Sequence, residues 1–184
     1  MKKAFFLTGL LAAGLLISAC DRASEEIAPA RAPDRAVQTV LAHPAQIGVD
    51  LSPEAFRERL RQRDLEPAVV VRGRELYAAH CASCHGAFAE ATPDWRKRHA
   101  DGTFPPPPLD GSAHAWHHPD QMLLRIMRDG GQSYGPTYRG AMPPMGQVIN
   151  TAERQAILQY LKSLWPDEAW RTQQDITREN PEGN

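Results

Sequence analysis

The sequence has no surplus of either charge and very little cysteine. Its 184 residues carry 21 lysines and arginines against 22 aspartates and glutamates, so there is no basic excess for the phosphates of a nucleic acid. Three cysteines, Cys20, Cys81 and Cys84, are too few for a disulfide framework. Aromatic residues make up only 7%, while 16 prolines and 13 glycines interrupt the chain. These counts predict one small, loop-rich domain with a modest core and no nucleic-acid partner.

No apolar run in the sequence is long enough to cross a bilayer. The longest one, from residue 4 to residue 17, has 14 residues. A transmembrane helix needs about 20, because the hydrocarbon core is about 30 Å thick. Since Lys2 and Lys3 precede the run, residues 1–19 are predicted to form a signal peptide for export.

Cys20 lies directly after this run. The tetrapeptide Ile17-Ser18-Ala19-Cys20 resembles the lipobox of bacterial lipoproteins, in which the cysteine is acylated and becomes the mature N-terminus. This resemblance predicts a lipid anchor at Cys20 and a location on the periplasmic side of the inner membrane, where an aspartate such as Asp21 favours retention in some bacteria. The alternative is ordinary cleavage after small residues, which would leave Cys20 as a free thiol or remove it.

Start and stop signals predict four helices and no strands, so the expected fold class is all-α. Ser52 and Pro53 are typical of an N-cap and a first helical residue, and Asn150 with Glu153 is typical of a capping box. The predicted helices run from Pro53 to about Gln62, from about Ala68 to His80, from Pro119 to Gly130, and from Asn150 to Pro166. They place the domain at residues 51–166, with its core at about 68–166.

Both segments that flank this domain are predicted to be disordered. Residues 20–50 are rich in alanine, proline and charged residues, with almost no aromatic content, so they are expected to be a flexible tether. Residues 167–184 are expected to be a polar C-terminal tail.

The segment Cys81-Ala82-Ser83-Cys84-His85 is the attachment motif of a c-type haem. In this motif the two thiols bond the porphyrin vinyl groups, and the next residue, His85, binds the iron. A thioredoxin-like redox pair and half of a zinc site are the competing interpretations. The first lacks a βαβ pattern and the second lacks another cysteine pair. The motif therefore predicts one covalently bound haem c.

A second iron ligand is expected downstream, where Met142 and Met145 follow His85 by 57 and 60 residues. Here the chain resembles the class I cytochromes c, in which the axial methionine commonly lies in a Met-Pro loop before the C-terminal helix. The resemblance implies that Met142 is the ligand and that Met145 packs in the core. With both axial positions filled, it implies electron transfer rather than catalysis.

The resemblance covers about residues 70–165. Gly73 and Tyr77 match the small and aromatic residues of the N-terminal helix, where it crosses the C-terminal helix. The segment Pro107-Pro108-Leu109-Asp110-Gly111 is similar to the Pro-x-Leu-x-Gly segment of the family. This implies that the carbonyl of Pro107 accepts the Nδ1 proton of His85 and orients the imidazole.

Two segments depart from the family pattern. Glu90 to Phe104 is a longer insertion than compact members have, and it contains Arg96-Lys97-Arg98. These cations are interpreted as a solvated loop, with steering of an acidic partner as the alternative. The second departure is the element His114-Ala115-Trp116-His117-His118-Pro119-Asp120. It is interpreted as a rigid loop, with copper or another divalent ion at His114, His117 and His118 as the alternative.

The expected function is that of a lipid-anchored, single-haem electron carrier that exchanges electrons with redox partner proteins at the membrane. It is not expected to be an enzyme by itself. The alternatives are the haem-bearing subunit of a dehydrogenase, oxidase or reductase complex, and a copper-handling cytochrome that uses the histidine element.

Overall fold

The computed structural model describes residues 31–183. The signal peptide and Cys20 lie outside these residues, as does the first part of the proposed tether. The helices are α1 (Asp34–Ala42), α2 (Pro53–Gln62), α3 (Pro67–His80), α4 (Ala82–His85), α5 (Asp120–Asp129), α6 (Thr151–Leu164) and α7 (Asp167–Glu179). Short 3-10 turns cover Pro44–Ile47, Ala115–His117 and Gly130–Tyr134. Within residues 31–183 there is no β-strand, only one isolated bridge between Phe104 and Gly140. The all-α prediction is confirmed.

The local signals in the sequence correctly located the starts of α2 and α6. Ser52 caps α2 by accepting a hydrogen bond from the backbone N–H of Ala55. At the start of α6, Asn150 and Glu153 form both hydrogen bonds of the predicted capping box. Each cap satisfies backbone groups that a helix end leaves unpaired.

The core centres on the crossing of α3 and α6, which form the most extensive helix pair of the structure. At Gly73 the backbones approach so closely that a Cβ atom would lie 1.9 Å from the carbonyl oxygen of Ala156. Next to this contact, the rings of Tyr77 and Tyr160 pack with their centroids 5.3 Å apart. Glycine is therefore required at position 73, as the family resemblance implied.

The prediction of a tether through residue 50 is wrong for the part that the structure describes. Helix α1 buries Val37, Val40 and Leu41 against the core, and Ile47 and Val49 are buried after it. The phenolic O–H of Tyr160 donates to the carbonyl of Ile47 at 3.1 Å. The low apolar content was misleading, because spacing by three and four residues gathers the few apolar side chains on one helix face.

The prediction of a disordered C-terminal tail is also wrong, because residues 167–179 form α7. Pro166, expected as a stop, ends α6 and is the N-cap residue of α7. Trp165 before it is fully buried, and its indole N–H donates to the carbonyl of Leu109 at 2.8 Å. Helix α7 therefore continues the packed domain.

Polar contacts fasten α7 to the start of α5. Gln173 is completely buried, and its amide nitrogen lies 2.6 Å from Asp120 Oδ1 and 3.2 Å from the carbonyl of His118. The other carboxylate oxygen of Asp120 accepts from Lys162 at 2.6 Å. Near the start of α7, the buried Arg63 forms an ion pair with Asp167. These long-range contacts order a helix whose sequence is mostly polar.

Replacement of Gln173 with alanine is expected to lower the free energy of unfolding by about 2 kcal/mol, because Asp120 and the carbonyl of His118 would lose a buried donor. Denaturant unfolding of the purified protein measures this loss. Arg171, exposed on the same helix, supplies the control: Arg171→Ala should change stability by less than about 0.5 kcal/mol. Equal stability of the two variants would contradict the packed position of α7.

Candidate haem site

The two cysteines and the histidine of the attachment motif lie on one helical turn. Helix α3 ends at His80, and Cys81 is both the C-cap residue of α3 and the N-cap residue of α4. The backbone N–H of His85 donates to the carbonyl of Cys81 at 3.0 Å. Cys81 is half-buried and Cys84 is exposed. The turn thus presents two free thiols and one imidazole from five consecutive residues.

The thiol of Cys81 differs from an activated cysteine. Burial, together with the neighbouring Cys84, raises the pKa of Cys81 to about 11. Redox-active cysteines have lowered pKa values, because a thiolate is the attacking species. The site therefore does not favour the thioredoxin-like interpretation.

His85 is 8% exposed, and its Nδ1 atom lies 2.8 Å from the carbonyl oxygen of Pro107. Burial lowers the pKa of His85, and the hydrogen bond to the Pro107 carbonyl opposes this effect in part. A neutral imidazole whose Nδ1 carries the proton keeps the Nε2 lone pair free for a metal. The contact that the resemblance implied is present, and the role of His85 as an iron ligand stays a prediction.

A tight backbone arrangement surrounds His85, and the sequence did not predict it. The N–H of Ala91 donates to the carbonyl of His85 at 2.7 Å, and the N–H of Leu109 donates to the carbonyl of Ala89 at 2.7 Å. Ala89 and Ala91 both have positive φ angles, which are unusual for residues with a side chain. The hydroxyl of Tyr77 also donates to the carbonyl of Gly86 at 2.8 Å. These bonds hold the chain around the imidazole.

Met142 and Met145 lie in a loop that is fastened to the end of α5. The carbonyl of Met142 accepts from the N–H of Gly131 at 3.0 Å, and the N–H of Met145 donates to the carbonyl of Met127 at 3.1 Å. Both methionine side chains are half-buried against the core. The choice of Met142 over Met145 as the iron ligand stays a prediction.

Gly130 allows this loop to approach α5. Its φ of +70° with a ψ of −164° is a conformation that glycine adopts readily and residues with a side chain do not. A Cβ atom at this position would lie 2.7 Å from the Met142 carbonyl oxygen and from Pro144 N. The glycine is needed for the close contact as well as for ending the helix.

The donor set fits a covalently attached haem. Two thiols on one turn suit the two thioether bonds, an imidazole of fixed tautomer suits one axial position, and two thioether side chains are present for the other. Several partly buried apolar residues that follow the motif pack against the core: Leu109, Leu123, Leu124, Met142 and Met145.

The histidine element is held by ring contacts and by α7. The rings of His114 and His118 meet edge to face with their centroids 5.8 Å apart, and the ring centroids of Trp116 and His117 are 3.8 Å apart. Burial lowers the pKa of His118, with smaller contributions from His114 and His117. Among residues 31–183, no group of three or more His, Cys, Asp or Glu side chains is arranged to hold a metal ion. His114 and His117 are exposed and His118 is half-buried, and the three side chains do not have the geometry of the copper alternative.

The helical fold and the Cys-Cys-His turn together define a c-type cytochrome domain. Comparison with protein families supports this class: the family described as cytochrome c oxidase, cbb3-type, subunit III matches residues 68–161. The match covers half of the chain, and the chain belongs to this family. A search of curated proteins and a search of solved structures found no match.

Membership of this family establishes haem-based electron transfer as the role of the domain, with covalently bound haem c as the cofactor. The domain is an electron-transfer protein rather than an enzyme by itself, and it is of a periplasmic or membrane-associated kind. None of the helices in residues 31–183 combines the length and the hydrophobicity needed to span a bilayer. Helices α1, α2 and α7 lie outside the matched residues.

Proposed function

We propose that this protein carries one haem, is held at the periplasmic face of the inner membrane by acylated Cys20, and shuttles single electrons between respiratory proteins. Cys81 and Cys84 hold the haem, and His85 and Met142 bind its iron. The observation that carries the proposal is the 2.8 Å contact between His85 Nδ1 and the Pro107 carbonyl, because it leaves the Nε2 atom of the same imidazole free to bind a metal.

When bound, the haem supplies an iron that changes between the ferric and ferrous states. The residues of the chain position the groups that would bind this iron. Pro107 holds the imidazole of His85 in one orientation, and the bonds of Gly131 and Met127 hold the methionine loop. With His85 and Met142 as its two protein ligands, the iron would have no position left for a substrate, and the methionine would raise its reduction potential.

The position of Ala32 limits how far an anchored domain can move. Ala32 is buried, and its N–H donates to the carbonyl of Ala68 at 3.0 Å. Eleven residues separate Cys20 from Ala32, so a lipid at Cys20 would keep Ala32 within about 40 Å of the membrane, at ~3.4 Å for each residue step. The carrier would therefore reach only partners that stand close to the same membrane.

The second candidate is the haem-bearing subunit of an oxidoreductase complex. The family description favours it, since that description names an oxidase subunit. The catalytic centre would then lie on another chain, because both axial positions of this haem are assigned to protein ligands. A stable stoichiometric complex after mild detergent extraction would support this candidate over the free carrier.

A Cys20→Ser variant tests the anchor and the carrier role together. It is expected to yield a soluble red protein in the periplasm, or an unprocessed precursor, because haem attachment depends on residues distant from Cys20. Cell fractionation followed by absorbance of each fraction measures this, with the wild type as the membrane-bound control. A correctly cleaved variant that stays fully in the membrane fraction would contradict the lipid anchor and favour the subunit.

A further inference from the structure

The insertion noted in the sequence forms an exposed basic loop, here residues 91–104. Arg96, Lys97 and Arg98 are exposed at its centre, and the ring of Phe104 at its end is 45% exposed. This loop is the insertion that departs from the family pattern in the sequence. Its position and its contacts indicate a role beyond solvation.

Both ends of the basic loop contact the haem site. At its start the N–H of Ala91 donates to the carbonyl of His85, and just after its end Pro107 accepts from the ring of the same histidine. Phe104 donates its N–H to the carbonyl of Arg139 at 2.7 Å, next to its bridge with Gly140, which is two residues before Met142. The loop therefore lies against the segments that carry both predicted iron ligands.

The cations of the loop are held in place by its own side chains. The guanidinium of Arg96 lies 4.2 Å from the ring centre of Trp95, and that of Arg98 lies 3.9 Å from the ring centre of Phe104. Lys97 is paired with Asp94 at 2.7 Å. Such contacts reduce the side-chain entropy that binding would otherwise cost. Arginine and aromatic residues are also the types enriched in protein interfaces.

The charge of this surface is opposite in sign to that of the chain. The three cations and the exposed Arg139 outnumber Asp94, Asp101 and the exposed Glu90 at the start of the insertion, which leaves a formal charge of +1, whereas the whole sequence carries −1. Opposite charges across an interface steer encounter and fix the orientation of the partners. A positive surface beside the haem on a mildly acidic protein selects a partner with a negative surface.

We propose that the basic loop, together with Arg139, is the surface on which an acidic redox partner protein docks to exchange electrons with the haem. This inference rests on the proposed electron-carrier function and names the surface and the chemistry of its partner. One electron leaves the ferrous iron and reduces the partner, or passes in the reverse direction, with no bond made or broken.

Two small oxidants of opposite charge test whether electrons leave beside the loop. Hexacyanoferrate(III) is anionic and tris(phenanthroline)cobalt(III) is cationic, and stopped-flow absorbance follows the oxidation of the reduced full-length protein by each. For Arg96→Glu/Arg98→Glu, the hexacyanoferrate rate at low salt should fall about fivefold or more and the cobalt rate should rise. A change in haem potential would move both rates in the same direction. Opposite changes in the two rates would therefore result from the altered charge of the basic loop.

The matched control is Arg57→Glu/Arg61→Glu, which makes the same change of net charge at exposed residues of α2. Its ratio of the two rates should stay within about twofold of the wild type, and high salt should remove the effect of the loop variant. An equal effect of both variants would overturn the proposal. Failure of either probe to oxidise the protein would instead overturn the electron-carrier function.

Lys97 allows a second test that does not depend on rates. The sequence has four lysines, Lys2, Lys3, Lys97 and Lys162, of which the first two belong to the predicted signal peptide and Lys162 is buried. The side chain of Lys97 is 77% exposed. A carbodiimide links amines to carboxylates, so treatment of membranes that contain the protein should produce a product joined from Lys97 to an acidic residue of another protein.

Lys97→Arg removes the amine, so it should abolish this product, whereas the Arg57→Glu/Arg61→Glu control should leave both the product and electron transfer to the membranes unchanged. Arg96→Glu/Arg98→Glu should weaken both the product and the transfer. A product that persists in Lys97→Arg would overturn the assignment of the surface. Binding to phosphatidylglycerol vesicles that is lost in the Arg96→Glu/Arg98→Glu variant would also overturn it, because the loop would then bind lipid headgroups.

Discussion

A Cys81→Ala/Cys84→Ala variant is expected to contain no covalently bound haem. Cys81 lies between α3 and α4 and Cys84 lies in α4, and they carry the only free thiols among residues 31–183. Acid-acetone extraction should leave the haem on the wild-type polypeptide and remove all of it from the variant, as measured by absorbance of the protein pellet. Either single alanine variant should retain one thioether bond or fail to mature.

Ser83→Ala supplies the control, since Ser83 lies between the two cysteines but carries no group that bonds a porphyrin. It should bind as much covalent haem as the wild type. Covalent haem on the double variant would contradict the attachment site. Loss of haem from wild-type protein during extraction would contradict covalent attachment altogether.

Replacement of Met142 with leucine is expected to produce the largest change in the iron itself. Ferric iron with a thioether ligand has a weak long-wavelength charge-transfer band, which should disappear in Met142→Leu. The reduction potential should fall on the order of 0.2 V, a part of the roughly 0.8 V range over which axial ligands act. Potentiometric titration measures the potential, and absorbance of the oxidised protein measures the band.

The same substitution at Met145 is the matched control. Met145 is also half-buried, and its backbone N–H is bonded to the carbonyl of Met127, so its position is comparable to that of Met142. Leucine keeps a similar apolar volume at this position. It should keep the band and shift the potential little. Loss of the band in Met145→Leu together with its retention in Met142→Leu would assign the iron ligand to Met145.

The structure contains some of the arrangements of site residues that the sequence indicated and lacks others. It contains the hydrogen bond between His85 and Pro107 and the close approach at Gly73. It does not arrange His114, His117 and His118 as a metal site. Ala89 and Ala91 escaped sequence reasoning because their left-handed backbone is imposed by bonds to Leu109 and His85. An alanine gives no local signal for that conformation, whereas a glycine would have done so.

The sequence by itself determined the features that depend on neighbouring residues. The cap at Ser52, the capping box at Asn150 and Glu153, and the attachment motif all involve groups within four positions of one another. Local bonding of this kind is encoded by residue type and spacing, so helix ends and the haem turn could be read directly.

Only the tertiary structure decided that the flanking segments belong to the domain. The side chain of Gln173 donates to Asp120, which is 53 positions away in the sequence, and to the carbonyl of His118, which is 55 positions away. The hydroxyl of Tyr160 donates to the carbonyl of Ile47 across 113 positions. A polar side chain is stable in the interior only where partners meet it, and nothing in its local sequence names those partners. For this reason a polar composition predicted tails, whereas long-range packing and hydrogen bonding formed α1 and α7.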